Sequence, residues 1–92
     1  MHISTDDLVA ALRDQGLRIT EPRRTVCEII AARHAEHLTA AAIYEAVATS
    51  SEGTVDRATV YRTLDALETA GAIKHSHLGS GPTVYHLSLI HI

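Results

Sequence analysis

A mainly α chain that closes in a small β-hairpin, the plan of a winged helix-turn-helix, follows from three features of the sequence. Four segments repeat apolar residues at helical spacing between capping residues and stops. After Gly71 the period changes to alternation, with strand-like runs at Ala72–Leu78 and Thr83–Leu87 around Gly79-Ser80-Gly81-Pro82. The fourth helical segment has one aliphatic face, and the opposite face carries guanidinium, hydroxyl and methyl groups.

Each element has its own warrant. Ser4 with Asp7 makes an N-cap and an acidic first turn, Leu8, Ala11 and Leu12 repeat behind it, and Gly16 is a stop. A first helix over about Thr5–Gln15 follows, with Leu17-Arg18-Ile19 as a connector. Thr20 caps a second helix and Pro22 suits its first turn. Val26, Ile29 and Ile30 give it an apolar stripe, and it ends near Arg33-His34. Ala35–Leu38 reads as a loop. Thr39 caps a third helix whose Ile43, Tyr44 and Val47 face inward, and the small polar residues Thr49–Thr54 form a turn. Asp56 caps the fourth helix, which stops at Gly71. The third and fourth helices form the turn-helix pair. Their connection is long for the tightest form of the motif, which predicts a short strand or irregular turn around Val55 paired with the hairpin.

Ninety-two residues make one small domain, and 46% hydrophobic content without Phe or Trp requires an aliphatic core. The net charge of −3 opposes nucleic-acid binding if taken as a sum. The distribution decides differently. Arg13 to Arg33 holds five arginines against three acids, and no acid interrupts Arg57 to Leu64. The acids gather at Asp6-Asp7, Glu45, Glu52, Asp65 and Glu68, which leaves room for a basic face on an acidic body. Cys27 is the single cysteine, set among apolar neighbours as a small buried hydrophobe, with no partner for a disulfide or a CxxC zinc site. No signal peptide or run of about 20 apolar residues is present, so the expected compartment is the cytoplasm, with no membrane role.

Arg57-Ala58-Thr59-Val60-Tyr61-Arg62-Thr63-Leu64 carries the chemistry. At ~100° per residue, Val60, Leu64 and Leu67 stack on one side. Ala58, Thr59 and Arg62 point away, with Tyr61 and Thr63 on the flanks. Guanidinium, hydroxyl, ring and methyl groups read base edges and grip phosphates, which makes Arg57, Thr59, Tyr61 and Arg62 candidate contacts to double-stranded DNA.

The sequence resembles the ferric uptake regulator family of metal-responsive repressors. The resemblance rests on Gly16-Leu17-Arg18-Ile19-Thr20, Pro22-Arg23, His37-Leu38-Thr39-Ala40 with Ile43-Tyr44, Ala58–Leu64, Gly71-Ala72-Ile73 and Val84-Tyr85-His86-Leu87, in order from about Leu8 to Leu87. It implies that Arg18 reaches an A/T-rich minor groove, Arg23 contacts backbone, and Tyr61 and Arg62 enter the major groove. It also implies a homodimer on a palindromic A/T-rich operator, with a divalent metal setting the angle between domains. His37 matches a ligand position; His86 stands where many members carry a carboxylate, and imidazole suits zinc as well as iron. Two ligands do not make a tight site. The domain is expected over residues 1–87. Ser88–Ile92 departs from the acidic, His-rich hinge of the family, which suggests a truncated frame or a foreign tail, with the C-terminal dimerisation domain absent. Metal binding by these residues alone is expected to be weak or absent, and DNA binding weak and salt-sensitive.

Plainer readings stand beside these. Tyr61 at the edge of an apolar stripe is also compatible with half-core packing. Arg18 and Arg23 also read as surface charges, with Arg23 balancing Glu21 or Glu28, and His37 and His86 as ordinary loop and strand residues. His75 and His77 alternate on one strand face, as two surface histidines or a metal pair. The net acidity favours a second function, a winged-helix module that binds protein. Enzymatic function is not expected: no His-x-x-x-His pair with an adjacent glutamate occurs.

Overall fold

The computed structural model describes residues 4–33, 38–50, 55–77 and 81–87. Its order is α1 (Thr5–Asp14), α2 (Glu21–Ala32), β1 (Leu38–Thr39), α3 (Ala40–Ser50), α4 (Arg57–Thr69), β2 (Ile73–His77) and β3 (Thr83–Leu87). This is the mainly helical, winged arrangement that the sequence predicts.

Local chemistry sets the helix limits. Asp7 N–H donates to Ser4 Oγ at 3.2 Å, and Ser4 N–H donates to the Asp7 carboxylate at 2.9 Å, a complete capping box. Thr20 Oγ1 accepts from Arg23 N–H at 3.4 Å and starts α2. Thr39 Oγ1 accepts from Ala42 N–H at 3.1 Å at the head of α3. Asp56 accepts from Ala58 N–H at 3.0 Å and starts α4. Gly16 and Gly71 hold φ of 79° and 82°, the left-handed conformation that lets a chain leave a helix. At the second, Gly71 N–H donates to Glu68 C=O and Ala72 N–H to Leu67 C=O, both at 2.9 Å, which closes α4 and aims the chain into β2.

The core is aliphatic. Leu8 and Leu12 of α1, Val26 of α2, Ile43 and Val47 of α3, and Val60, Leu64 and Leu67 of α4 are all fully buried. Helix α2 packs on α1, α3 and α4, and α4 also meets β2. Each Leu side chain withdrawn from water contributes roughly 1.5–3 kcal/mol, so α4 is fixed by its apolar stripe.

The three-stranded antiparallel sheet has the order β1-β3-β2. Leu38 faces Tyr85 and Thr39 faces Val84; on the other side of β3, Ile73 pairs with Leu87 and His75 with Tyr85. Of the short strand or irregular turn expected around Val55 in pairing with the hairpin, no strand forms there among the described residues. Val55 is buried outside any strand, and the third strand is Leu38–Thr39. Leu38, expected in a loop, is buried and paired, because a strand just before α3 covers one edge of β3. The expected loop residues Ala35–His37, most of the turn before α4, the wing tip at Leu78–Ser80 and the tail Ser88–Ile92 lie outside the described residues. Among the described residues no helix is long and apolar enough to cross a membrane.

Candidate nucleic-acid interface

The face of α4 opposite the core follows its periodicity at Arg57, Tyr61 and Arg62 and less fully at Ala58 and Thr59. Val60, Leu64 and Leu67 are inaccessible to solvent, while Arg57, Tyr61 and Arg62 are exposed and Ala58 and Thr59 half-buried. Tyr61 is 43% exposed, the one large hydrophobic side chain among the described residues to stand out in this way. Its ring is therefore on the outer surface and not in the core. Thr63 differs from the flank position expected for it. It is fully buried, and its hydroxyl donates to Thr59 C=O at 2.7 Å, which satisfies the buried oxygen within the helix.

Charge is graded along α4. The cations Arg57 and Arg62 occupy the N-terminal half and the acids Asp65 and Glu68 the C-terminal half. Among the described residues no carboxylate pairs with Arg57 or Arg62. Arg24 of α2 behaves in the opposite way and lies 3.6 Å from Asp6 and 3.9 Å from Glu28. Arg57 is the first residue of α4. Its guanidinium carbon lies over the Tyr44 ring, 4.5 Å from the ring centre, so Tyr44 meets the solvent side of the motif as well as the core.

Arg18 is exposed in the connector before α2. Arg23 is half-buried, and its Nη1 donates to Arg18 C=O at 2.7 Å. It fixes the backbone of the connector and pairs with neither Glu21 nor Glu28; the cation beside the Glu28 carboxylate is Arg24.

A groove of about 460 Å3 runs between the head of α3, Tyr61 and the wing, lined by Thr39, Ala40, Ala41, Tyr61, Pro82, Thr83 and Tyr85. At the other end of the wing base, His75 Nδ1 meets a Glu68 carboxylate oxygen. The His75 ring also lies 6.3 Å from that of Tyr85. Burial pushes the Tyr85 phenol above its ordinary value, and the charges of Glu68 and Asp65 push it the same way. Glu68 sits in the last turn of α4, where a negative charge opposes the helix dipole, and His75 of β2 is its partner there. The sequence reading missed both the Tyr44–Arg57 and the Glu68–His75 contacts. The residue types were visible, but neither pair is close in the chain.

The sequence model of the ferric uptake regulator family matches residues 14–92, most of the chain. The chain belongs to the ferric uptake regulator family. It is 42% identical over 77 residues to the ferric uptake regulation protein of Legionella pneumophila, covering 84% of this chain and 56% of that one. It is also 35% identical over 81 residues to that of Vibrio cholerae, covering 88% and 53%. The chain thus spans about half the length of the curated relatives it matches. Among solved structures, the Vibrio cholerae ferric uptake regulator, known for a rearrangement of its DNA-binding domains, superposes with a TM-score of 0.71 at 32% identity, over 90% of this chain and 63% of that one. The Pseudomonas aeruginosa regulator with manganese gives a TM-score of 0.71 at 31% identity, over 87% and 59%.

Membership of this family raises the question of a metal. His37 lies outside the described residues. His86 is half-buried on β3, in register with Lys74 of β2. Cys27 is fully buried within the aliphatic core, and desolvation pushes its thiol up to about 12. Among the described residues no group of three or more His, Cys, Asp or Glu is placed to hold a metal ion. His86 with the described residues alone does not fit such an ion.

Proposed function

We propose that residues 1–87 form the DNA-binding half of a metal-responsive transcriptional repressor. The whole protein acts in the cytoplasm as a homodimer on an A/T-rich palindromic operator and takes zinc or iron as its divalent metal. The observation that carries this reading is the exposed set Arg57, Tyr61 and Arg62 on a helix whose other face is locked into the core. In a helix-turn-helix the N-terminal part of the second helix reads bases in the major groove. Arg62 is assigned to guanine or phosphate, Tyr61 to thymine methyls and Thr59 to a base edge or phosphate. Arg18 enters the adjoining minor groove from its connector. Arg23 holds that connector from behind and supplies a backbone contact. His37 and His86 are assigned to the metal in the whole protein, and the remaining ligands come from outside the described residues.

A mobility-shift titration of the 92-residue chain on an A/T-rich palindromic duplex, with and without zinc, tests this. Weak binding that falls steeply with salt and ignores zinc is expected, since two histidines do not make a tight metal site. Tight, zinc-switched binding by these residues would overturn it.

Net acidity favours a second reading, a winged-helix module for a protein partner. That module would ignore duplex at low salt.

A further inference from the structure

We propose that Tyr44 is a positioning residue for DNA binding: its ring holds the Arg57 guanidinium at the head of α4, ready for a backbone phosphate. The proposal rests on the DNA-binding reading above. Arg57 is exposed at the first position of α4, where a long side chain with several rotatable bonds would otherwise sweep through solvent. Tyr44 lies on the preceding helix, α3, between the fully buried Ile43 and Val47, and packs against the core. The platform is therefore stiff, and the guanidinium carbon lies 4.5 Å from its centre.

A cation–π contact satisfies the charge without using any of the five N–H donors as hydrogen bonds. A carboxylate partner would occupy those donors and cancel the charge, and among the described residues Arg57 has none. The neighbouring Asp56 is engaged instead in capping Ala58 N–H at 3.0 Å. Arg57 is thus held in place yet still able to bind an anion. The α4 N-terminus beside it supplies a positive end of the same sign. Tyr44 and Arg57 also span the two helices of the motif, so the contact sets the cation relative to the whole reading head.

A double-mutant cycle on the full chain tests this by fluorescence anisotropy with labelled duplex. Tyr44→Phe keeps the ring and should bind like the parent. Tyr44→Met keeps apolar volume without a ring and should weaken binding about threefold, the scale of one cation–π contact. In an Arg57→Ala background Tyr44→Met should change nothing. An equal loss with and without Arg57 would show that Tyr44 only shapes the core, and parent-like or tighter binding by Tyr44→Met would also overturn the proposal. Should Tyr44→Met not fold, Arg57→Lys reads the same contact with the core untouched. It keeps the charge, loses the planar group and should bind less tightly; parent-like affinity overturns the proposal. Duplex binding that ignores both Arg62→Ala and salt would remove the DNA reading itself, and this proposal with it.

Discussion

Among the described residues no carboxylate pairs with Arg62 or Arg57, whereas Arg24 lies beside two acids and Arg23 is tied to Arg18. Exposure alone does not distinguish Arg24 from Arg57 and Arg62; their partners do. The Arg24 pairs are exposed and contribute little to stability, on the order of 0–1 kcal/mol each. Cys27 shows the reverse case of a reactive group kept silent. Its thiol is pushed from 9.0 to about 12 by burial, with the charge of Glu28 adding and that of Arg24 opposing. It should resist a thiol reagent at pH 8 in the folded chain and react promptly in denaturant; fast labelling of the folded chain would contradict its burial. The sign for stability follows. Between pH 9 and 12 the unfolded thiol ionises first, so the folded state holds more protons and stability falls as pH rises. Tyr85, also raised, adds in the same direction above pH 10. Chemical denaturation at pH 8 and pH 11 should show the loss.

At the scale of elements, the caps and stops determine where α4 begins and how it is aimed. Replacing Asp56 with Ala removes the acceptor for Ala58 N–H and should cost about 1 kcal/mol. Gly71→Ala forces a Cβ into a left-handed backbone and should cost about 1–2 kcal/mol, read as a lower denaturation midpoint. These features were legible in advance because capping is local: Ser4, Thr20, Thr39, Asp56, Gly16 and Gly71 all act within a few residues. The hairpin was legible from its change of period. The third strand was not. Leu38-Thr39 is too short to show alternation, and it is a strand only because the edge of β3 lies beside it. The Glu68–His75 and Tyr44–Arg57 contacts were hidden for the same reason, since each joins separate elements. Thr63 shows a limit of helical-wheel reasoning. Its hydroxyl is satisfied within its own helix, so a polar residue fills a dry position. His75→Ala should loosen the junction of wing and α4, seen as faster amide exchange in β2; unchanged exchange would make the contact incidental.

Over the whole molecule, net acidity and DNA binding are compatible because charge is sorted by place. The cations of α4 stand at its head and the acids at its tail, and the aliphatic stripe behind keeps that order fixed toward solvent. The stripe is therefore part of function as well as stability: Leu64→Ala should cost about 2–5 kcal/mol and weaken DNA binding by loosening the helix. In the DNA-binding reading proposed above, α4 presents Arg62 to the double helix. Anisotropy titrations of parent and Arg62→Ala against an A/T-rich palindromic duplex over a range of salt test it most directly. Loss of about tenfold in affinity, with a salt slope shallower by about 1 where Arg62 binds phosphate and an unchanged slope with relaxed base preference where it binds guanine, is the expected result. Identical affinity, slope and base preference for the two proteins would contradict it.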